Sequence, residues 1–447
     1  MLNHVLLIDY GSTFTKVVAV DATESKLLGC AAAYTTVETD VGEGLCSALE
    51  ELEKLTGRLD FHKRLACSSA AGGLRMVVCG LVPELTAKAA SLASMGAGAK
   101  VVGLYSYELI EEDIEEIKAK KPDILLLTGG TDGGNKKCII HNAEMLAEIP
   151  DDFPIIVAGN RNAGREVMKV LANRRVSLCE NVMPTVETLN IEPAKQLIRD
   201  IFLDRIVHAK GLTDEVSMPT PAAVLAAAEM LATEIGDLTA IDVGGATTDI
   251  YSITEGAPHK SSVIYKGLPE PYAKRTVEGD IGMRYSAHGV VEAAGASSIA
   301  GLSGLSIEQV EKQVQYLSER TDSLPTNNEQ KSLDFALAAM AIETATLRHA
   351  GTLEEIFTTS GRALVQTGKD LTEVKTILMT GGALINTDRQ RELVTYALYS
   401  DVQPQSLRPR KANLLIDKHY ILAAMGLLNS YAPTTALEIL KVNLLKG

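Results

Sequence analysis

IDVGGATTDIYSI, residues 241–253, decides the fold of this chain, and LLIDYGSTFTKVVAV, residues 6–20, repeats its grammar near the start of the sequence. Each is an apolar run leading into an aspartate, Asp242 or Asp9, then a glycine-rich turn with hydroxyl residues, then a second β-branched run. That pattern predicts a strand, a tight turn and an antiparallel strand. Gly11 in the first turn, and Gly244 and Gly245 in the second, are expected to adopt backbone conformations closed to other residues and to let a polyphosphate approach bare N–H groups. Ser12, Thr13, Thr15, Thr247 and Thr248 add hydroxyl donors at the same rim. Asp9 and Asp242 cannot face phosphate directly, because like charges repel; they call for a hydrated cation between, usually Mg²⁺ with several waters kept. Two such hairpins facing each other would clamp a nucleotide such as ATP.

A third element extends the pattern. ILMTGGALIN, residues 377–386, is an apolar strand ending in Gly381 and Gly382, where a nucleoside can lie against backbone without side chains in the way. PTPAAVLAAAEMLATEIG, residues 219–236, predicts a helix with Thr220 as N-cap, Pro221 in the first turn and Gly236 as the stop. DKHYILAAMGLLNSY, residues 417–431, predicts another, starting at Asp417, whose Ala423, Ala424 and Gly426 permit close helix contact. Lys16 is a candidate phosphate contact in the outgoing strand, its direction not readable from sequence.

Phosphate hairpin, connecting helix, phosphate hairpin, nucleoside turn and connecting helix, in that order, resemble the actin, sugar kinase and heat-shock ATPase superfamily. The resemblance implies an α/β, two-lobed actin-like (ribonuclease H-like) ATPase fold. The segment MPTPAAVLA is similar to the connecting segment of the seventy-kilodalton heat-shock ATPases, but Met218 stands where they carry an acidic residue. The departure removes a carboxylate base and implies slow hydrolysis, with Asp9 and Asp242 as the catalytic pair that positions water through the metal.

Composition sets outer limits. The chain has 447 residues, enough for two or three domains, and 46% hydrophobic residues with only 4% aromatic describe aliphatic α/β cores. A formal net charge of −14 argues against nucleic acid as partner, since a binding surface would have to be locally basic against the global field. The longest apolar stretch, around Ala222 to Ala232, is broken by Glu229 and is far short of the roughly 20 residues of a membrane span. The sequence opens directly on a strand without a leader pattern, so a cytoplasmic protein is expected. Its six cysteines are widely spaced with no C-x-x-C pair, which signals neither a disulfide framework nor a zinc ribbon. Nor is the close thiolate cluster apparent that the iron–sulfur dehydratase activators of the superfamily need.

Between the first hairpin and the connecting helix, from about Leu65 to Glu180, apolar strands alternate with helices. Such alternation predicts an inserted doubly wound α/β domain, a parallel sheet joined by right-handed crossovers. The expected division is therefore 1–64 for the start of lobe I, 65–180 for the insertion, 181–236 for lobe I connecting helices, 237–416 for lobe II and 417–447 for the C-terminal connecting helix. LLLTGGTDGGN, residues 125–135, falls at a strand end where such sheets bind ligands, yet a lone glycine-rich turn is weak support and a plain structural turn is the favoured reading. Asp249 is expected to be a strand-end solvent or turn residue. Gly279, Asp280 and Gly282 either present N–H groups to the nucleotide or cap a helix. His349 is expected to cap or pack rather than catalyse.

Over nearly its whole length the chain resembles the glutamate mutase accessory protein family, MutL or GlmL. The residues carrying the match are IDYGSTFTK, LLLTGGTDGGN, IDVGGATTDI, EGDIGMRYSAHG at 278–289, RHAGT at 348–352 and MTGGALIN. The resemblance implies an ATPase and reactivase of chaperone type serving an adenosylcobalamin-dependent mutase, glutamate mutase or an aminomutase, with no role for membrane or nucleic acid. Two other classes compete. A small-molecule kinase would want an Asp base over a substrate cleft, and none can be isolated between the hairpins; a scaffold would polymerise with nucleotide.

Overall fold

The computed structural model describes residues 3–35, 41–69, 74–186, 188–203, 216–359 and 361–445. The chain forms two units: Met1–Ala71, Ala223–Lys266 and Tyr272–Gly447 make the first, and Gly72–Ala222 with Gly267–Pro271 the second.

In the first unit β1 (His4–Tyr10) turns back antiparallel into β2 (Phe14–Asp21), which pairs with β3 (Lys26–Tyr34), while β4 (Lys63–Ser68) adds parallel to the free edge of β1. The apolar run at Leu65 therefore belongs to this sheet, and the chain departs after it rather than before. Gly72 and Gly73, just after that run, lie outside the described residues.

The second unit is a parallel five-stranded sheet in the order β6-β5-β7-β8-β9, from β5 (Leu74–Gly80), β6 (Ala99–Ser106), β7 (Ile124–Leu127), β8 (Ile155–Val157) and β9 (Val176–Leu178). Strands of this kind are apolar throughout because helices cover both faces: Ile124 to Leu127 and Ile155 to Val157 are all buried. The loop after β7 is wired internally. Asn160, 1% exposed, donates to the carbonyls of Gly134 and Asn135 and accepts from the Gly133 N–H, and Asn181 donates to the Gly130 carbonyl and to Asp132. Its glycines answer to backbone geometry, Gly130 at φ +70° and Gly133 at φ +79°.

After β10 (Val216–Pro219) comes the helix Thr220–Ile235, which stops as expected at Gly236 with φ +76° and within which the first unit resumes at Ala223. Its second large sheet uses β11 (Leu238–Val243) and β12 (Thr248–Ile253). After the short β13 (Val263–Lys266) come β14 (Ala273–Glu278), the hairpin β15 (Thr352–Thr358) with β16 (Gly361–Thr367), β17 (Thr376–Thr380) and β18 (Asn413–Ile416). The order is β14-β12-β11-β17-β18, with β11 antiparallel to β12, β12 antiparallel to β14, and β17 parallel to β11. The first four strands, β14, β12, β11 and β17, have their counterparts in β3, β2, β1 and β4. The same three-strand meander with a parallel fourth strand thus occurs twice, which is the duplicated ribonuclease H-like architecture of actin-like ATPases. The strands β13, β16 and β15 form a separate small sheet.

The helix Asn328–His349 packs along the second large sheet. Asn327 caps it by accepting from the Gln330 N–H, and Leu337, Ala341 and Ala345 meet Ile241 and Ile250 in one core. At the C-terminal side the helix begins at Leu422, not Asp417. Asp417 is buried beneath the turn and accepts N–H bonds from Ile421 and Leu422, and a second helix follows at Pro433–Leu440. Gly426 lies against the backbone carbonyl of Ala223, so close that any side chain there would collide with it.

Candidate nucleotide site

Register places the acidic residues. Asp9 is the next-to-last residue of β1 and Asp242 of β11, so each side chain stands at the carboxyl end of a central strand beside its turn. The two turns approach one another: a Cβ built on Gly245 would lie 2.9 Å from the Thr13 Oγ1. That hydroxyl is buried and has no hydrogen-bond partner among the described residues.

Glycine is required here for a different reason from the one expected. None of Gly11, Gly244 and Gly245 has a positive φ. What excludes a side chain is proximity, to the Phe14 carbonyl at Gly11 and to Thr13 at Gly245. Gly381 does need its freedom, with φ +100°, and its backbone presses on Val243 and lies 2.9 Å, measured from a built Cβ, from the Asp242 Oδ1. Gly382 opens the short helix Gly382–Ile385 with open space above it.

Among the hydroxyls, Ser12 and Thr13 stay at the turn. Thr247 donates to Asp249, 3.1 Å away. Thr15 and Thr248 are fully buried and engaged inside the fold, Thr15 with the Thr35 hydroxyl at 3.0 Å and Thr248 with the Ile281 carbonyl at 3.0 Å. Period-two alternation puts both side chains on the inward face of their strands.

Lys16 does point into the site. It sits opposite Asp9 in the β1–β2 ladder, pairs with the Asp9 carboxylate at 3.3 Å and lies 3.7 Å from the ring centroid of Tyr420. Burial works against its charge, yet the Tyr420 phenol and the carboxylates of Asp9 and Asp242 outweigh it and hold its pKa above the ordinary lysine value. Asp242 has no hydrogen bond or ion pair among the described residues. Burial, and next the repulsion of Asp249, push its carboxyl up from 3.8 to about 7. Asp417 is likewise raised by burial, against the N–H bonds it accepts.

The raised Asp242 predicts a pH dependence. A carboxyl whose folded pKa lies above its unfolded value stabilises the fold fully below the unfolded pKa and loses that contribution as pH rises through the folded one. Metal-free protein should therefore lose stability between pH 4 and 7, by on the order of 2 kcal/mol from this group after solvent screening. Urea unfolding in EDTA across that range should show the slope, and Asp242→Asn should remove this part of it; an unchanged slope in the variant would contradict the assignment.

Several neighbours of the two turns carry no signal in the hairpin motifs themselves. Asp249 is not a solvent residue but is 6% exposed and paired with Arg275, whose Nε and Nη2 lie 2.7 and 2.6 Å from it. Met283 and Arg284 donate their N–H groups to the carbonyls of Gly244 and Gly245 at 2.9 and 2.8 Å, so the EGDIGMRY segment backs the second hairpin from behind. Gly282 is tight against Ala246, and the Arg284 guanidinium grips Asp334 with two bonds. His349 ends its helix fully buried, its ring between the hydroxyls of Ser252 and Thr276 at 2.8 and 2.7 Å, a packing role as expected.

Among the described residues no group of three or more His, Cys, Asp and Glu side chains is arranged to hold a metal ion. The pair Asp9 and Asp242 fits Mg²⁺ as it is usually bound with nucleotides, by one or two carboxylates, retained waters and phosphate oxygens. The unpartnered Thr13 hydroxyl and the bare Gly245 suit a phosphate. All six cysteines are free thiols. Among the described residues no helix is long and apolar enough to cross a membrane.

A duplicated actin-like fold with two facing glycine turns and an aspartate beside each defines the class. The chain belongs to the MutL protein family, whose sequence pattern it matches over residues 5–444. It is 46% identical over 457 residues to Protein MutL of Clostridium tetanomorphum, covering 99% of each chain. Among solved structures it aligns with nucleotide-free acetone carboxylase at TM-score 0.42 and 12% identity, covering 96% of this chain and 70% of that one. Component A of the (R)-2-hydroxyglutaryl-CoA dehydratase of Acidaminococcus fermentans aligns at TM-score 0.32 and 11% identity, over 97% of this chain and 99% of that one.

Proposed function

We propose that this protein binds Mg-ATP between its two hairpins and hydrolyses it slowly, as a reactivating factor for an adenosylcobalamin-dependent mutase of the glutamate mutase type. The observation that carries the nucleotide reading is the approach of Thr13 to Gly245 with Asp9 and Asp242 at the adjoining strand ends. On this reading Ser12, Thr13 and the backbone at Gly245 hold phosphates, Lys16 balances their charge, and Gly381 and Gly382 bound the nucleoside; the Gly11 and Gly244 N–H groups, expected to be bare, are instead spent inside their turns on the carbonyls of Phe14 and Thr247 at 3.2 and 2.9 Å. Bound Mg²⁺ would supply charge neutralisation to the phosphates. Asp9 and Asp242 are the carboxylates that would hold the hydrated ion beside the phosphates. No carboxylate stands at Met218, which agrees with slow turnover.

Membership of the MutL family supports an accessory role, and the resemblance to glutamate mutase accessory proteins supplies the client. A nucleotide clamped by both lobes favours the closed state by its differential affinity, and hydrolysis removes that bias. The cycle can thereby lever a mutase until damaged cobalamin leaves. The inserted domain, Gly72–Ala222 with Gly267–Pro271 rather than 65–180, is proposed to imitate or dock against the client's own small α/β subunit. The protein is proposed to act in the cytoplasm.

The test is ATP turnover by the purified protein alone and with a candidate mutase inactivated by hydroxocobalamin, followed by recovery of mutase activity on adding adenosylcobalamin. Recovery that requires both ATP and Mg²⁺ is expected. Turnover without recovery from any such mutase would remove the reactivase reading and leave an ATPase or kinase.

A further inference from the structure

The metal-binding end of the site already contains a cation. The Lys16 ammonium lies 3.3 Å from one oxygen of Asp9 and over the face of Tyr420, where the ring quadrupole adds its own attraction. Tyr420 reaches this place at a cost: its φ is +56°, a left-handed conformation rare for a bulky residue. Strain of this kind persists only where surrounding structure enforces it, and it gathers at functional sites. The enforcement is visible. The Asp417 carbonyl accepts the Tyr420 N–H at 3.0 Å, and the Asp417 carboxylate is fixed by the N–H groups of Ile421 and Leu422 and by the Thr380 hydroxyl.

We propose that Lys16 is the resident counter-ion of the metal-binding carboxylates, held there by the ring of Tyr420, and that a magnesium nucleotide binds by displacing it onto the phosphates. The inference rests on the nucleotide reading of the site. An ammonium and a hydrated divalent ion compete for the space beside Asp9, since the two cations repel each other at this range. A polyphosphate changes the balance, because it gives the flexible lysine stem a new anionic partner within the same turn. Metal and nucleotide are then admitted as a pair, while the free metal ion is kept out. Tyr420 acts through Lys16 and is a positioning residue.

The experiment titrates Mn²⁺ into nucleotide-free protein, reading bound metal by electron paramagnetic resonance. Lys16→Met and Tyr420→Leu should each raise Mn²⁺ affinity by about tenfold or more over the natural sequence, the effect of removing or releasing one charge about 4 Å away. Tyr420→Phe keeps the aromatic face and should return the affinity to that of the natural sequence, a rescue that a purely structural role for the residue would not give. Lys16→Met should also weaken the binding of ATP in EDTA, where the lysine is the cation facing the phosphates. Equal Mn²⁺ affinity in all four proteins, or no binding even in Lys16→Met, overturns the counter-ion role. Failure of the natural sequence to bind any nucleotide overturns the underlying reading instead, so the two failures are distinguishable.

Discussion

Asp9→Asn and Asp242→Asn should each lower Mg-ATP turnover by about a hundredfold or more, the scale on which loss of a metal or electrostatic group at a phosphoryl site is felt. The substitution is nearly isosteric, so it removes a charge without removing volume. At Asp242 it also relieves a cost, because the carboxylate there is half-buried and faces Asp249, which together push it up to about 7. Asp242→Asn should therefore be at least as stable as the natural protein in EDTA above pH 7. Asp9→Asn loses the ion pair to Lys16 and should be slightly weaker. Turnover assays with circular dichroism as the fold control decide the matter, and unchanged turnover in both variants would sink the site assignment.

The second large effect concerns the pair behind the site. Arg275→Met should destabilise the protein by about 3–5 kcal/mol, because the Arg275 and Asp249 side chains are 3% and 8% exposed and the substitution strands a buried carboxylate. The electrostatic consequence reaches further. Asp249 lies directly opposite Asp242 in the β11–β12 ladder, so an uncompensated Asp249 pushes Asp242 still higher and weakens its hold on a cation. The double variant Arg275→Met with Asp249→Leu should recover most of the stability, since an apolar pair of similar volume is often neutral in such a place. Urea unfolding of the two variants measures both terms. A loss under about 1 kcal/mol in the single variant would mean that water reaches the pair and that the burial argument fails.

How much of this was legible in the sequence follows from what each residue answers to. The hairpins, the nucleoside turn and the helix Thr220–Ile235 are written in local rules, apolar alternation, glycine and caps, and those predict their place well. Asp249 was misread because a carboxylate at a strand end is usually wet, and its partner Arg275 lies on another strand with no local signature. Lys16 could not be aimed because its direction depends on Asp9 across the ladder and on Tyr420, four hundred residues along the chain. The helix start was placed at Asp417 because an aspartate before an apolar run reads as an N-cap. In fact it caps from a distance of four and five residues, with the strained Tyr420 in between. Thr15 and Thr248 read as turn hydroxyls because composition does not reveal which side of a strand faces inward where the strand begins.

The contact of Gly426 with the Ala223 carbonyl has a mechanical meaning. Interlocked side chains hold two helices at one of a few crossing angles, because ridges must leave their grooves before the axes can turn. Where backbone meets backbone there is nothing to unlock. On the proposed nucleotide cycle such a contact would act as a plain bearing rather than a ratchet, leaving the angle to be set by what the hairpins grip.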